Sequence, residues 1–178
     1  MKKWVEENKK PDGSDYDIYR DGLKIYTTID SRMQAHAETA VTAHMANLQE
    51  EFFRQSKDNK NAPFVNISSV ETQRILNQAM KSSNRWAVMK AMDKSEEEII
   101  KSFSEKTKMT VFSWKGEKDT LMTPLDSIRY YKHFLQSGLM AMEPQTGNVK
   151  AWVGGINYKY FQYDHVGQGA RQVGSTFK

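Results

Sequence analysis

From Asp30 to Phe52 apolar residues return at Met33, Ala37, Ala40, Val41, Met45, Leu48 and Phe52, steps mostly of three and four that only an α-helix gathers onto one face. A helix of that length runs about 30 Å. It is a long amphipathic helix. Asp30 or Ser31 offers the N-cap, with Gln34 three residues after Ser31 in a capping-box position. The polar stretch from Ser56 to Asn61, followed by Pro63, sets the end.

Strand patterns occur on both sides of it in sequence. Leu23, Ile25, Thr27 and Ile29 alternate with Lys24, Tyr26 and Thr28, the period of a half-buried strand. Residues 139–153 carry the strongest hairpin pattern: Leu139 to Glu143 and Asn148 to Val153, joined by Pro144-Gln145-Thr146-Gly147. Proline early and glycine late suit the fixed and the positive φ of a tight turn. Between these segments the spacing predicts two or three short helices over 70–104, the clearest capped by Ser95 with Glu98 and burying Ile99, Ile100 and Phe103. Met109 to Phe112 reads as a short strand. Thr123-Pro124 starts a further helix with Leu125, Ile128, Tyr131, Phe134 and Leu135 inward and Gly138 at its end. The expected class is α+β, with several amphipathic helices packed on a small antiparallel sheet that includes the hairpin.

Charge narrows the function. Lys and Arg number 26 against 22 Asp and Glu, a net charge of +4, and the signs interleave, as in Asp93-Lys94-Ser95-Glu96-Glu97-Glu98. Interleaved charge makes a solvated surface and no phosphate track, so no nucleic-acid partner is expected. The absence of cysteine excludes disulfides and thiolate metal sites. His36, His44, His133 and His165 stand at no metal-ligand spacing, and neither metal nor cofactor is expected. No run of 18 apolar residues and no charged-then-apolar leader occurs, so neither a membrane span nor an export signal is expected in these residues.

Few residues carry chemistry. Ser175-Thr176-Phe177-Lys178 is the one Ser-x-x-Lys. On a helix these two side chains share a face, and a neutral lysine amine there can take the serine proton for acyl transfer. The spacing alone is weak, since it arises readily by chance. Ser82-Ser83-Asn84 has the form of a Ser-x-Asn element, but it precedes the Ser-x-x-Lys and reads better as a polar helix end; no Lys-Thr-Gly occurs. Trp152, Tyr158, Tyr160, Phe161 and Tyr163 could form a platform for sugar or peptide, although packing of the hairpin loop is the favoured reading. Met33, Met45, Met80, Met89 and Met92 read as helix core or contact surface.

Two blocks lift the serine-lysine signal. Gly22-Leu23-Lys24-Ile25-Tyr26-Thr27-Thr28-Ile29-Asp30 with Gln34 resembles the segment by which class A penicillin-binding proteins leave their glycosyltransferase domain. About 110 residues later, Glu143 to Gly155 and then Arg171-Gln172-Val173-Gly174-Ser175-Thr176-Phe177-Lys178 are similar to the run into that family's transpeptidase nucleophile. Val173 departs from the family's usual proline. The helix around Lys132 and the turn Phe112 to Gly116 look like the version in Bacteroidetes-type enzymes.

The resemblance implies an intact parent that polymerises glycan and cross-links stem peptides on the extracytoplasmic face of the inner membrane. In it Ser175 is the nucleophile, acylated by a D-Ala-D-Ala terminus or a β-lactam, and Lys178 is the general base. The implied plan is a linker at 1–21, a helix-rich pedestal at 22–137 and the leading edge of the transpeptidase domain at 138–178. Stem peptides, β-lactams, the parent's other catalytic domains and a cell-wall regulator are the implied partners. Without the family's later motifs the segment alone is expected to be inactive. The alternative is a structural module that orients the catalytic domains or docks a regulator.

Overall fold

The computed structural model describes residues 1–59, 61–170 and 174. Among the described residues ten elements follow one another: α1 (Lys2–Glu7), α2 (Ser31–Ser56), α3 (Ser69–Lys81), α4 (Asn84–Ala91), α5 (Glu96–Phe103), β1 (Thr107–Val111), β2 (Lys118–Met122), α6 (Pro124–Lys132), β3 (Leu139–Met142) and β4 (Val149–Val153). The class is α+β, as expected, with two antiparallel two-stranded sheets, β1–β2 and β3–β4.

The long helix forms and finds its cover in β4. Its N-cap is Asp30, whose carboxylate accepts from the amides of Arg32 and Met33. The Ser31 capping box does not form, because Gln34 is engaged elsewhere. The buried stripe is narrower than the apolar pattern implied: Ala37, Val41, Met45 and Gln49, four residues apart, while Met33 and Leu48 are about 43% exposed. Gln49 is fully buried although polar. Its Nε2 donates to the His133 carbonyl at 2.8 Å and its Oε1 accepts from the Leu135 amide at 2.8 Å. It thereby satisfies two backbone groups just past α6 that would otherwise have no partner in an apolar setting.

Two cores result. The first gathers Ala37, Val41 and Met45 with Phe112, Phe134, Ala151, Val153 and Ile156; the second gathers Met80, Trp86, Ile99 and Phe103. Helix α6 joins them. Its Leu125 and Ile128 pack on the second core, and Tyr130 and Tyr131 pack on the first. The two tyrosines also grip one peptide: Tyr130 donates its hydroxyl to the Phe112 carbonyl at 2.6 Å, and the Phe112 amide donates to the Tyr131 hydroxyl at 3.2 Å. Burial pushes the Tyr130 phenol pKa up, which keeps its proton on that bond.

Local signals set the ends of the small helices. Ser95 and Glu98 form the full capping box at the start of α5, and Ile99 is completely buried, but Ile100 is 46% exposed on the opposite side. Thr123 caps α6 with Pro124 in its first turn. That helix stops at Lys132, short of Gly138, because Gln49 takes the carbonyl of His133; Gly138 instead lies against Val166. The strand expected at Met109 to Phe112 is β1, and its partner β2 was not foreseen.

The hairpin is present with a bulge between Ala141 and Met142, and Gly147 turns it with φ +74°. Ala151 and Val153 face the first core, whereas Met140, Met142 and Trp152 remain half-exposed on the other face. The strand expected at Leu23 to Ile29 does not form. Ile25 and Tyr26 are exposed, and only its end reaches the sheet, where Thr28 Oγ1 donates to the Val149 carbonyl and the Asp30 amide to that of Lys150.

Candidate functional site

Ser175 and Lys178 lie outside the described residues. The structure describes the chain that leads toward them, beginning at the outer edge of β4. An unpaired strand edge exposes its amides and carbonyls in a row. Here Gln34 closes that row with a two-point clamp: its Nε2 donates to the Trp152 carbonyl at 3.0 Å and its Oε1 accepts from the Trp152 amide at 2.8 Å. The same Nε2 lies 2.7 Å from Glu38 Oε1, so α2 fixes both the strand and the carboxylate beside it.

Beyond β4 the chain makes a loop without regular structure, and Asp164 organises it. Oδ1 accepts from the amides of Val166 at 3.0 Å and Gly167 at 3.1 Å, Oδ2 accepts from the Trp152 indole at 3.2 Å, and the Asp164 carbonyl accepts from the Gln168 amide at 2.9 Å. The His165 amide donates to the Gly154 carbonyl at 2.7 Å, and the Tyr163 hydroxyl to the Gln168 carbonyl at 2.8 Å. A second tether runs from Lys159 to Glu117 in the β1–β2 turn. Lys159 holds the Glu117 carboxyl below its ordinary range, so the pair stays charged.

The aromatic run divides between packing and surface. Tyr160 and Phe161 pack with Phe112 and Tyr131 around the first core. Trp152, Tyr158, Tyr163 and also Phe161 line an open cleft of about 520 Å³ together with Gln34, Glu38 and Asp164. Ordered polar groups beside aromatic faces can bind a polar ligand with apolar faces.

Other candidates have ordinary places. Ser83 caps α4 by accepting from the Trp86 amide and donates to the Met80 carbonyl, so Ser82-Ser83-Asn84 is a helix junction. His36 and His44 are exposed on α2, His133 packs on Phe53, and His165 packs on Tyr163. Met45 and Met80 are core, whereas Met92 is 66% exposed. In the hairpin turn the Glu143 carboxyl is held low, first by the Thr146 hydroxyl and then by Lys150. Sequence reasoning passed over Gln49 and Asp164, whose partners lie 84 and 86, and 12, residues away for their longest side-chain bonds.

Residues 59–135, which hold α3 to α6 and the β1–β2 ribbon, match the penicillin-binding protein middle domain. Over longer stretches the chain is similar to penicillin-binding protein 1A of three rickettsiae. It is 26% identical to that of Rickettsia prowazekii (strain Madrid E) over 91% of this chain and 22% of the relative, and 26% identical to that of Rickettsia typhi (strain ATCC VR-144 / Wilmington) over 97% and 24%. For Rickettsia bellii (strain RML369-C) the identity is 24% over 93% and 23%. The chain thus spans under a quarter of the length of the curated relatives it matches. No solved structure matches it. The middle-domain match and the 1A relatives, whose alignments cover more than nine-tenths of its residues, support a fragment of a class A penicillin-binding protein.

Proposed function

We propose that this chain forms the approach to the serine transpeptidase site of a peptidoglycan-synthesising enzyme, with Ser175 as nucleophile and Lys178 as general base. The single observation that supports it most is order along the sequence: the middle-domain match at 59–135 is followed by a hairpin, an Asp164-bound loop and then the Ser-x-x-Lys. In the reaction the neutral Lys178 amine takes the Ser175 proton as the oxygen attacks the terminal D-Ala-D-Ala carbonyl. A serine ester forms and D-alanine leaves with the proton; an acceptor amine on a second stem peptide then releases the enzyme. A β-lactam meets the same oxygen and stays as the ring-opened ester.

On this reading the intact parent also polymerises glycan and works at the extracytoplasmic face of the inner membrane. Residues 1–21 link to the glycosyltransferase domain, 22–137 are a pedestal, and 138–178 open the transpeptidase domain. The segment alone turns over no substrate. The alternative, a structural module that orients catalytic domains or docks a regulator, draws support from α6, which ties the two cores together. Replacing Ser175 by alanine in the intact protein decides between them. Peptide cross-linking should vanish while glycan polymerisation continues; undiminished cross-linking would remove the catalytic reading and leave the structural one.

A further inference from the structure

We propose that the cleft between α2 and the loop after β4 binds a neutral sugar chain, its aromatic residues taking the pyranose faces and its planar polar side chains the hydroxyls. The preference stands on the cleft's own atoms and uses no atom of Ser175.

The aromatic residues at this cleft keep surface that a core would hide. Tyr158 is 81% exposed, Tyr163 51% and Trp152 36%. Apolar surface left together in solvent marks a contact site. Two of the rings are fixed before a ligand arrives. The Trp152 indole donates to Asp164 Oδ2 at 3.2 Å. The Tyr163 hydroxyl donates to the Gln168 carbonyl at 2.8 Å, and its ring meets that of His165 with centroids 4.9 Å apart. Rings already held lose little freedom on binding. The face of such a ring is electron-rich, so it attracts the C–H bonds on one side of a pyranose.

The polar groups select among ligands. No Lys, Arg or His stands among the described lining residues, whereas Glu38 and Asp164 are acidic, so phosphates and other anions are repelled. A cation would suit that charge, but an ammonium group carries donors and no acceptor. Much of the polar lining is amide, from Gln34, Asn157 and Gln162, and each amide offers N–H donors as well as a carbonyl. Hydroxyls both donate and accept, so they pair with amides and carboxylates alike. Gln34 Nε2 donates to Glu38 Oε1 at 2.7 Å, and the Tyr160 amide to Asn157 Oδ1 at 3.3 Å, which leaves Glu38 Oε2 and Asn157 Nδ2 outside those bonds. The volume of about 520 Å³ suits a ligand of a few rings. On the transpeptidase reading the polymer of this chemistry is the glycan strand that carries the stem peptides, and that identification alone rests on the reading.

Nuclear magnetic resonance of the isotope-labelled 178-residue chain tests the cleft, because an intact parent would add a glycosyltransferase domain with its own hold on sugar. The probe is chitotetraose, a neutral β-linked tetramer of N-acetylglucosamine. The Trp152 indole N–H signal should move saturably, with half-saturation on the order of 1 mM. Tyr158→Ala, at a side chain the fold leaves in solvent, should weaken binding roughly two- to tenfold. Glu38→Gln keeps an oxygen for Gln34 and removes the charge, so affinity should stay within about threefold and show no dependence on salt.

Chitotetraose that moves nothing up to about 10 mM overturns the inference; a trilysine peptide that then binds, and is lost in Glu38→Gln, makes the occupant a cationic peptide. Sugar binding that Tyr158→Ala leaves unchanged overturns it as well. Neither result touches penicillin acylation of Ser175 in the intact protein, so failure here and failure of the transpeptidase reading are distinguishable.

Discussion

Gln49 offers the sharpest test of how this fold is held. Its side chain is fully buried in α2, yet it satisfies the carbonyl of His133 and the amide of Leu135 where α6 gives way to β3. Gln49→Leu keeps the volume and removes both bonds. Each buried backbone group left without a partner costs about 1–3 kcal/mol. The extra apolar burial of leucine returns part of that, for a net loss of about 2–4 kcal/mol. A loss of that size is a large fraction of a domain's stability.

Urea unfolding of the 178-residue chain followed by tryptophan fluorescence would report it as a midpoint about 1–2 M lower at unchanged slope. Gln49→Glu adds a pH signature. Its carboxylate can accept from Leu135 but brings no proton to the His133 carbonyl, so burial raises its folded pKa above the unfolded value of about 4.3. Stability is then fullest below that unfolded value and falls as pH rises through the folded pKa. A Gln49→Leu midpoint equal to the parent's, or a Gln49→Glu variant indifferent to pH, refutes the account of this junction.

Three further outcomes follow from the same geometry. Ile99→Ala should lose about 2–5 kcal/mol because Ile99 is fully buried in the second core, while Ile100→Ala, on the exposed side of α5, should stay within about 0.5 kcal/mol; thermal melts of the pair check both. Gln34→Ala removes the clamp on β4, so hydrogen exchange at the Trp152 amide should quicken about tenfold, the equivalent of one to two neutral hydrogen bonds. The Asp30 carboxyl is held below its ordinary range by the Met33 amide first and then the Arg32 amide, so its capping of α2 is present above about pH 4 and is lost as pH falls through the lowered folded value. Asp30→Asn keeps the cap and should flatten that acid limb in a fluorescence titration.

What the sequence disclosed depended on how far each partner lay. The Ser95–Glu98 box, the Thr123-Pro124 start and the Pro144 to Gly147 turn are completed within a few residues, and each stands as read. Gln34 looked like a local cap because Ser31 is three residues away, yet its partner is 118 residues on, and no local pattern advertises that choice. Gln49 breaks the apolar stripe it belongs to, so periodicity placed Leu48 and Phe52 inward instead. Lys118 to Met122 is too polar to announce a strand and becomes one by pairing with β1 in an exposed ribbon. Leu23 to Ile29 shows the converse: its alternation suits a strand, but only Thr28 and Asp30 find bonds on β4, and Gln34 takes the next position along that edge. The Asp164 loop was legible only as aromatic-rich chain, since nothing in its composition reveals that one carboxylate gathers an indole and two amides.

The central proposal concerns a single oxygen atom, that of Ser175, and the site of a covalent adduct tests it. The intact protein would be treated with benzylpenicillin, digested, and the acylated peptide sequenced by tandem mass spectrometry. The account predicts one penicilloyl group per chain, carried on the peptide that contains Ser175. An adduct on a different serine, or none on a protein that still cross-links peptides, contradicts it.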